Sequence, residues 1–133
     1  MISWEGNSLV VTLFRTWASS SMDDYLTAYR SMVDHYYPLG KWVKIIDFMD
    51  YVEVGELLDL LYTEELKQIR KEVVDWSISR GMISQVIILD PVIPDDVIEQ
   101  VIRVFDNEGA PAEIVATRVE ASFRAEETLK GYL

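Results

Sequence analysis

The chain has no cysteine in its 133 residues. That excludes disulfides, thiol nucleophiles and thiolate metal sites. It has one histidine, His35, so no His-Glu-x-x-His zinc motif can be drawn. Its six glycines, Gly6, Gly40, Gly55, Gly81, Gly109 and Gly131, stand singly, so there is neither a phosphate-binding P-loop nor a dinucleotide fingerprint. Basic residues are scarce, 12 against 23 acidic ones, for a net charge of −11. Phosphate backbones repel such a chain, which argues against nucleic acid as a partner, and anionic lipid surfaces are disfavoured for the same reason. No apolar run approaches the ~18 residues of a membrane span. The opening Met1-Ile2-Ser3-Trp4-Glu5-Gly6 lacks the basic region and apolar core of a signal peptide. A cytoplasmic protein without cofactor or bound metal is the expectation.

What is present is an ordinary globular balance, 50% hydrophobic and 26% charged. One domain over residues 1–133 can bury a real core at this size. Two apolar runs, Ile2 to Trp4 and Leu9 to Phe14, flank the turn chemistry of Glu5-Gly6-Asn7-Ser8 and predict a β-hairpin. Ser19-Ser20-Ser21 offers helix caps before Asp23 and Asp24. Tyr25, Leu26, Tyr29, Met32, Val33 and Tyr36 then repeat at helical spacing, until Pro38 and Gly40 stop the helix.

Trp42 to Phe48 predicts a strand, and Lys44 inside it predicts a face left open to solvent. Val54 to Tyr62 predicts a short apolar helix or turn. Thr63 then caps a helix carrying Leu66, Ile69, Val73 and Trp76, which ends at Arg80-Gly81. The wholly apolar Val86 to Leu89 fits a strand covered on both faces. Asp95 and Asp96 open a helix lined by Val97, Ile98, Val101, Ile102 and Phe105. Ala112 to Val119 predicts the last strand, and Ser122 the cap of the last helix. The order ββαβαβαβα implies an α/β fold: a mostly parallel sheet with right-handed crossovers and an antiparallel N-terminal hairpin strand.

Asp47 and Asp90 close two of these strands. The carboxyl ends of parallel strands share one sheet edge, where open α/β folds place ligands. With Asp50 nearby, that edge could hold Mg²⁺ or accept a phosphoryl group. An Asp ending a strand also caps its own loop, and that plainer reading is preferred. His35, late in its helix, suits a helix C-terminus and has no nucleophile to serve. Ile45 to Leu66 carries seven acidic residues and no Lys or Arg, and Asp90 to Thr117 carries seven with only Arg103. The strand-end edge should therefore be acidic, as solubility or steering of a basic partner would need. Tyr36 and Tyr37 cannot both lie on the buried helix face, so one is a candidate for a contact surface. Association into a homodimer, through the hairpin edge near Trp4 or the tyrosine helix, is expected.

The segment Phe123-Arg-Ala-Glu-Glu-Thr-Leu-Lys-Gly-Tyr-Leu133 resembles the closing helix of the SpoIIAA-like, STAS-related family of small bacterial proteins. Thr128 stands where that family favours Ala, and Tyr132 where it favours Trp. The element order fits the same fold along the whole chain. In the anti-sigma-factor antagonists of the family, a serine just after the equivalent strand, often in Asp-Ser-Ser-Gly, is phosphorylated to break a partner complex. Here the stretch is Asp50-Tyr51-Val52-Glu53-Val54-Gly55-Glu56. Gly55 is kept, but no Ser or Thr lies between Phe48 and Tyr62. The resemblance thus implies a non-catalytic interaction or regulatory domain without the usual switch; Glu53 or Glu56 could act as a permanent negative charge, but a solvated loop is the preferred reading. The related CRAL-TRIO folds imply an alternative, a binding module for a small apolar or lipid-like ligand. A third reading is a carboxylate and Mg²⁺ dependent enzyme on Asp47 and Asp90.

Overall fold

The computed structural model describes residues 1–13, 20–36 and 40–131, without the side chains of residues 20–22 and 36. The elements run β1 (Ile2–Glu5), β2 (Ser8–Thr12), α1 (Ser20–Tyr36), β3 (Trp42–Asp47), α2 (Val54–Tyr62), α3 (Glu64–Ser79), β4 (Met82–Ile88), α4 (Asp95–Asp106), β5 (Ala112–Val115) and α5 (Arg118–Lys130). The expected strand end at Phe14, the serine cap, Pro38, Tyr37, Tyr132 and Leu133 lie outside the described side chains.

One sheet carries the strands in sequence order, β1-β2-β3-β4-β5. Only β1 is antiparallel, and Glu5 pairs with Ser8 across the hairpin turn. Gly6 takes φ +59 there, a conformation that glycine adopts at little steric cost. The other three pairings are parallel. Each crossover steps one strand in the same direction. Right-handed connections then put α1, α2, α3 and α4 on one face of the sheet.

Strand alternation divides the core to match. Leu9, Val11, Ile46 and Ile87 pack under α1 to α4. Val10, Val43, Ile45, Val86 and Ile88 point the other way and meet Ala121 and Ala125 of α5. Those alanines, four residues apart and fully buried, let α5 lie close to the strands. Val86, Ile87 and Ile88 are fully buried, as expected of a strand covered on both sides. Trp4 turns inward rather than along the hairpin edge: its ring stands edge-on to Trp42 at 5.6 Å, and its Nε1 donates to the Met32 carbonyl at 3.0 Å.

Four expectations are corrected. The order ββαβαβαβα gains a helix between β3 and β4, because Val54–Tyr62 takes the helix option rather than the turn and Thr63 sits in extended backbone before the next helix. Thr63 does occupy the N-cap position of α3, but its side chain makes no capping hydrogen bond. β5 stops at Val115, and α5 starts at Arg118 rather than near Ser122. The Thr117-x-x-Glu120 sequence is the reason: the Glu120 amide donates to Thr117 Oγ1 at 3.1 Å, a stronger start signal than Ser122 supplies. Finally, Lys44 does not reach solvent. It is only 5% exposed, because α1 and α3 cover the face on which it lies.

Candidate functional site

β3 is the central strand, covered by helices on both sides. The alternation that puts Val43 and Ile45 under α5 puts Lys44, with Trp42 and Ile46, on the face below α1 and α3. Its strand partners are Leu9 on β2 and Gln85 on β4, so a lysine and a glutamine sit side by side in the core. Gln85 is fully buried, and among the described residues neither its Nε2 nor its Oε1 has a hydrogen-bond partner. Lys44 Nζ lies 4.6 Å from the centre of the Tyr29 ring, a cation–π contact. Among the described residues it makes no hydrogen bond or ion pair. Burial pushes its ammonium down from 10.5 to about 8, with the negative charge of Glu108 opposing the fall. Tyr29 is held in place by a 2.6 Å hydrogen bond between its hydroxyl and Ser77 Oγ, and burial drives its phenol pKa upward.

Glu108, just beyond α4, is the nearest source of compensating charge. Its Oε1 accepts from Arg70 Nε at 2.7 Å, while its Oε2 is buried without a partner. Burial raises its pKa, opposed chiefly by the hydrogen bond and charge of Arg70. Arg70 itself is committed elsewhere as well. Its Nη1 donates to the Leu60 carbonyl at 2.6 Å and its Nη2 to the Leu61 carbonyl at 3.0 Å. These are orphan carbonyls at the end of α2, where a cation is favoured. Arg70 is thus a clamp joining α2, α3 and the end of α4, and Lys44 is the cation with donors to spare.

A cavity of about 80 Å³ opens beside Lys44, walled mainly by Ile46, Phe48, Leu66, Ile69 and Phe105. One water needs roughly 10–15 Å³ by this kind of measure. The space is enough for several waters or a small organic molecule. Apolar walls, one buried amine without a partner, and an unpartnered glutamine amide and carboxylate oxygen close by are the composition of a small-molecule site.

The residues favoured from sequence lie elsewhere. Asp47 and Asp90 do end up on one edge, after adjacent parallel strands, and each caps its own loop. Asp47 Oδ1 accepts from the Met49 amide and Asp90 Oδ1 from the Val92 amide, both at 2.9 Å. Asp47 Oδ2 also faces Arg118 at 3.9 Å. Among the described residues no group of three or more His, Asp or Glu could hold a metal ion. Asp50 and Glu53 are exposed in the loop before α2, with Gly55 exposed in its first turn. Tyr36 closes α1, but its side chain and Tyr37 are outside the described set. His35 is exposed in the last turn of α1. No helix of the described residues is long and apolar enough to cross a membrane.

Sequence reasoning missed Lys44, Gln85, Arg70 and Glu108 as a group. One signal was available: a lysine with apolar neighbours on both sides, in a strand whose two faces are both covered, has no route to water. No protein-family profile, curated protein or solved structure matches the chain.

Proposed function

We propose that this protein is a binding module for a small, mostly apolar molecule that carries one oxygen-bearing polar group. The observation that carries this reading is Lys44, buried against an apolar cavity and unpaired among the described residues. A buried ammonium without a partner is costly, so it is kept where it meets something. A ligand oxygen supplies the missing acceptor, and the cavity walls take the apolar body. This reading agrees with the small-ligand alternative drawn from the CRAL-TRIO relationship, and a SpoIIAA-like ancestry is part of the proposal. Calorimetric titration with toluene, benzyl alcohol and hexanoate tests it. We expect saturable binding, lost in Leu66→Trp, which fills the cavity from its half-buried rim. No binding of any of the three by the native protein would reject it.

A second reading, a regulatory protein–protein contact at the carboxyl edge of the sheet, is favoured by one feature. The acidic loops there expose Met49, Val52 and Val92, the last 68% exposed. Apolar side chains among carboxylates suit a basic, amphipathic partner. A self-associating protein would use the same kind of surface. A polypeptide that co-purifies at low salt, leaves at high salt and is lost in Val92→Asp supports it. Purification of a strict monomer without companions, at every salt concentration, removes it.

A further inference from the structure

We infer that Lys44 is a covalent attachment site, whose amine forms a reversible imine with a small apolar aldehyde in the adjoining cavity. This rests on the small-ligand reading above and names the chemistry of the ligand's head.

Geometry comes first. The amine borders the cavity, is held over the Tyr29 ring and gives no hydrogen bond to any described residue. Arg70 also borders the cavity, but its guanidinium is taken up by Glu108 and two carbonyls. A carboxylate ligand would bring a second charge out of water to meet Lys44 and the neighbouring Gln85 amide. An aldehyde enters neutral, and its condensation removes a buried charge that has no ion-pair partner among the described residues. Burial also keeps a larger share of this amine neutral at ordinary pH than of an exposed lysine, which is how desolvated lysines become nucleophiles.

The step balances without an oxidant or reductant. The nitrogen lone pair attacks the carbonyl carbon, and the carbonyl π pair moves to oxygen, which takes a proton from the new ammonium. The carbinolamine oxygen takes a second proton from a neighbouring acid and leaves as water while the nitrogen pair closes the C=N bond, and the iminium nitrogen gives its remaining proton back to that group. One aldehyde and one amine give one imine and one water. Glu108, whose charge acts on Lys44 and whose Oε2 is buried without a partner among the described residues, is the group assigned to exchange these protons.

The test uses the native protein with benzaldehyde and sodium cyanoborohydride at pH 8, where reduction traps an imine as a benzylamine. Lys41, Lys67, Lys71 and Lys130 are all exposed and serve as internal references. Peptide mapping by mass spectrometry should find Lys44 labelled about tenfold or more faster than any of the four, with one benzyl group per chain. Toluene, which has no carbonyl, should slow that labelling, and Leu66→Trp should abolish the preference. Toluene binding without preferential labelling of Lys44 overturns the imine and leaves the cavity reading standing. Saturable binding of benzoate that is lost in Lys44→Met, with no adduct from benzaldehyde, overturns it in favour of an anion site. Absence of labelling, together with no binding of toluene, benzyl alcohol or hexanoate, overturns both proposals.

Discussion

Replacing Lys44 by methionine should make the protein more stable at neutral pH. The two side chains are similar in length and both are unbranched, so the cavity wall is largely kept. The native ammonium is pushed from 10.5 to about 8, first by burial. At 1.36 kcal/mol per pH unit, that is a penalty of about 3 kcal/mol on the charged folded state. That shift already includes the attraction of Glu108, so the variant's further loss is the Tyr29 cation–π contact, worth about 0.5–2 kcal/mol. A net gain of about 1–2 kcal/mol remains.

The pH dependence has a definite sign. An unfolded lysine holds its proton up to about 10.5, whereas the folded one releases it near 8. Between these values the unfolded state binds more protons, so native stability rises with pH. The penalty is complete below pH 8 and relieved by about 10.5. The methionine variant lacks this term, and its advantage should shrink over that window. Arg70, Glu108 and Tyr29, the other ionisable groups facing Lys44, are common to both proteins and largely cancel in the difference. Urea unfolding of both proteins at pH 7, 8, 9 and 10 reads it directly, provided the m-values agree. A methionine variant less stable than the native protein at pH 7, or a difference that stays constant to pH 10, would refute the reasoning.

Ile88→Asp should cost roughly 3 kcal/mol or more, since it buries an unpaired charge between the sheet and α5; a soluble variant with a cooperative melt near the native one would show the core misplaced. Thr117→Ala should cost about 1 kcal/mol by removing the cap of α5, while Ser122→Ala, inside that helix, should change stability by less than about 0.5 kcal/mol; the reverse order in urea unfolding would contradict the helix start. Gly81→Ala should lower stability by about 1–3 kcal/mol, because Gly81 has φ +100 and a Cβ there would lie 2.8 Å from the Gly40 carbonyl oxygen; an unchanged melting temperature would mean that the turn relaxes freely. Millimolar Mg²⁺ should barely move the melting temperature, whereas a site at 100 times its dissociation constant adds about 2.7 kcal/mol; a rise abolished by Asp47→Asn would restore the carboxylate edge as a metal site.

The parts of the fold legible in sequence are those written in local periodicity. The apolar run at Val86 to Ile88, the hairpin at Gly6 and the helix stop at Gly81 all act within a few residues. The limits of β5 and α5 were misjudged because Val119 continues an apolar run by composition, yet sits two residues past a Thr-x-x-Glu cap that outweighs it. The carboxylates drew attention because strand ends are where such folds place ligands, and both side chains proved occupied by their own loops. The cluster around Lys44 was hidden for a different reason. Lys44, Arg70, Gln85 and Glu108 come from four separate segments, and only the stacking of α1 and α3 over β3 decides that the lysine is enclosed. Burial of a cation is a property of the assembled layers, and no window of neighbouring residues contains it.

The solitary position of α5 has a consequence during synthesis. The first four helices are all translated between or beside the strands they cover, so that face of the sheet is clothed as it grows. The opposite face, with Val10, Val43, Ile45, Val86 and Ile88, waits for residues 118–130. Until the ribosome releases them, a nascent chain with all five strands paired presents a bare β-branched surface of the kind that recruits chaperones or a second copy of itself. A chain truncated just before Arg118 should therefore be more prone to aggregate than the full chain.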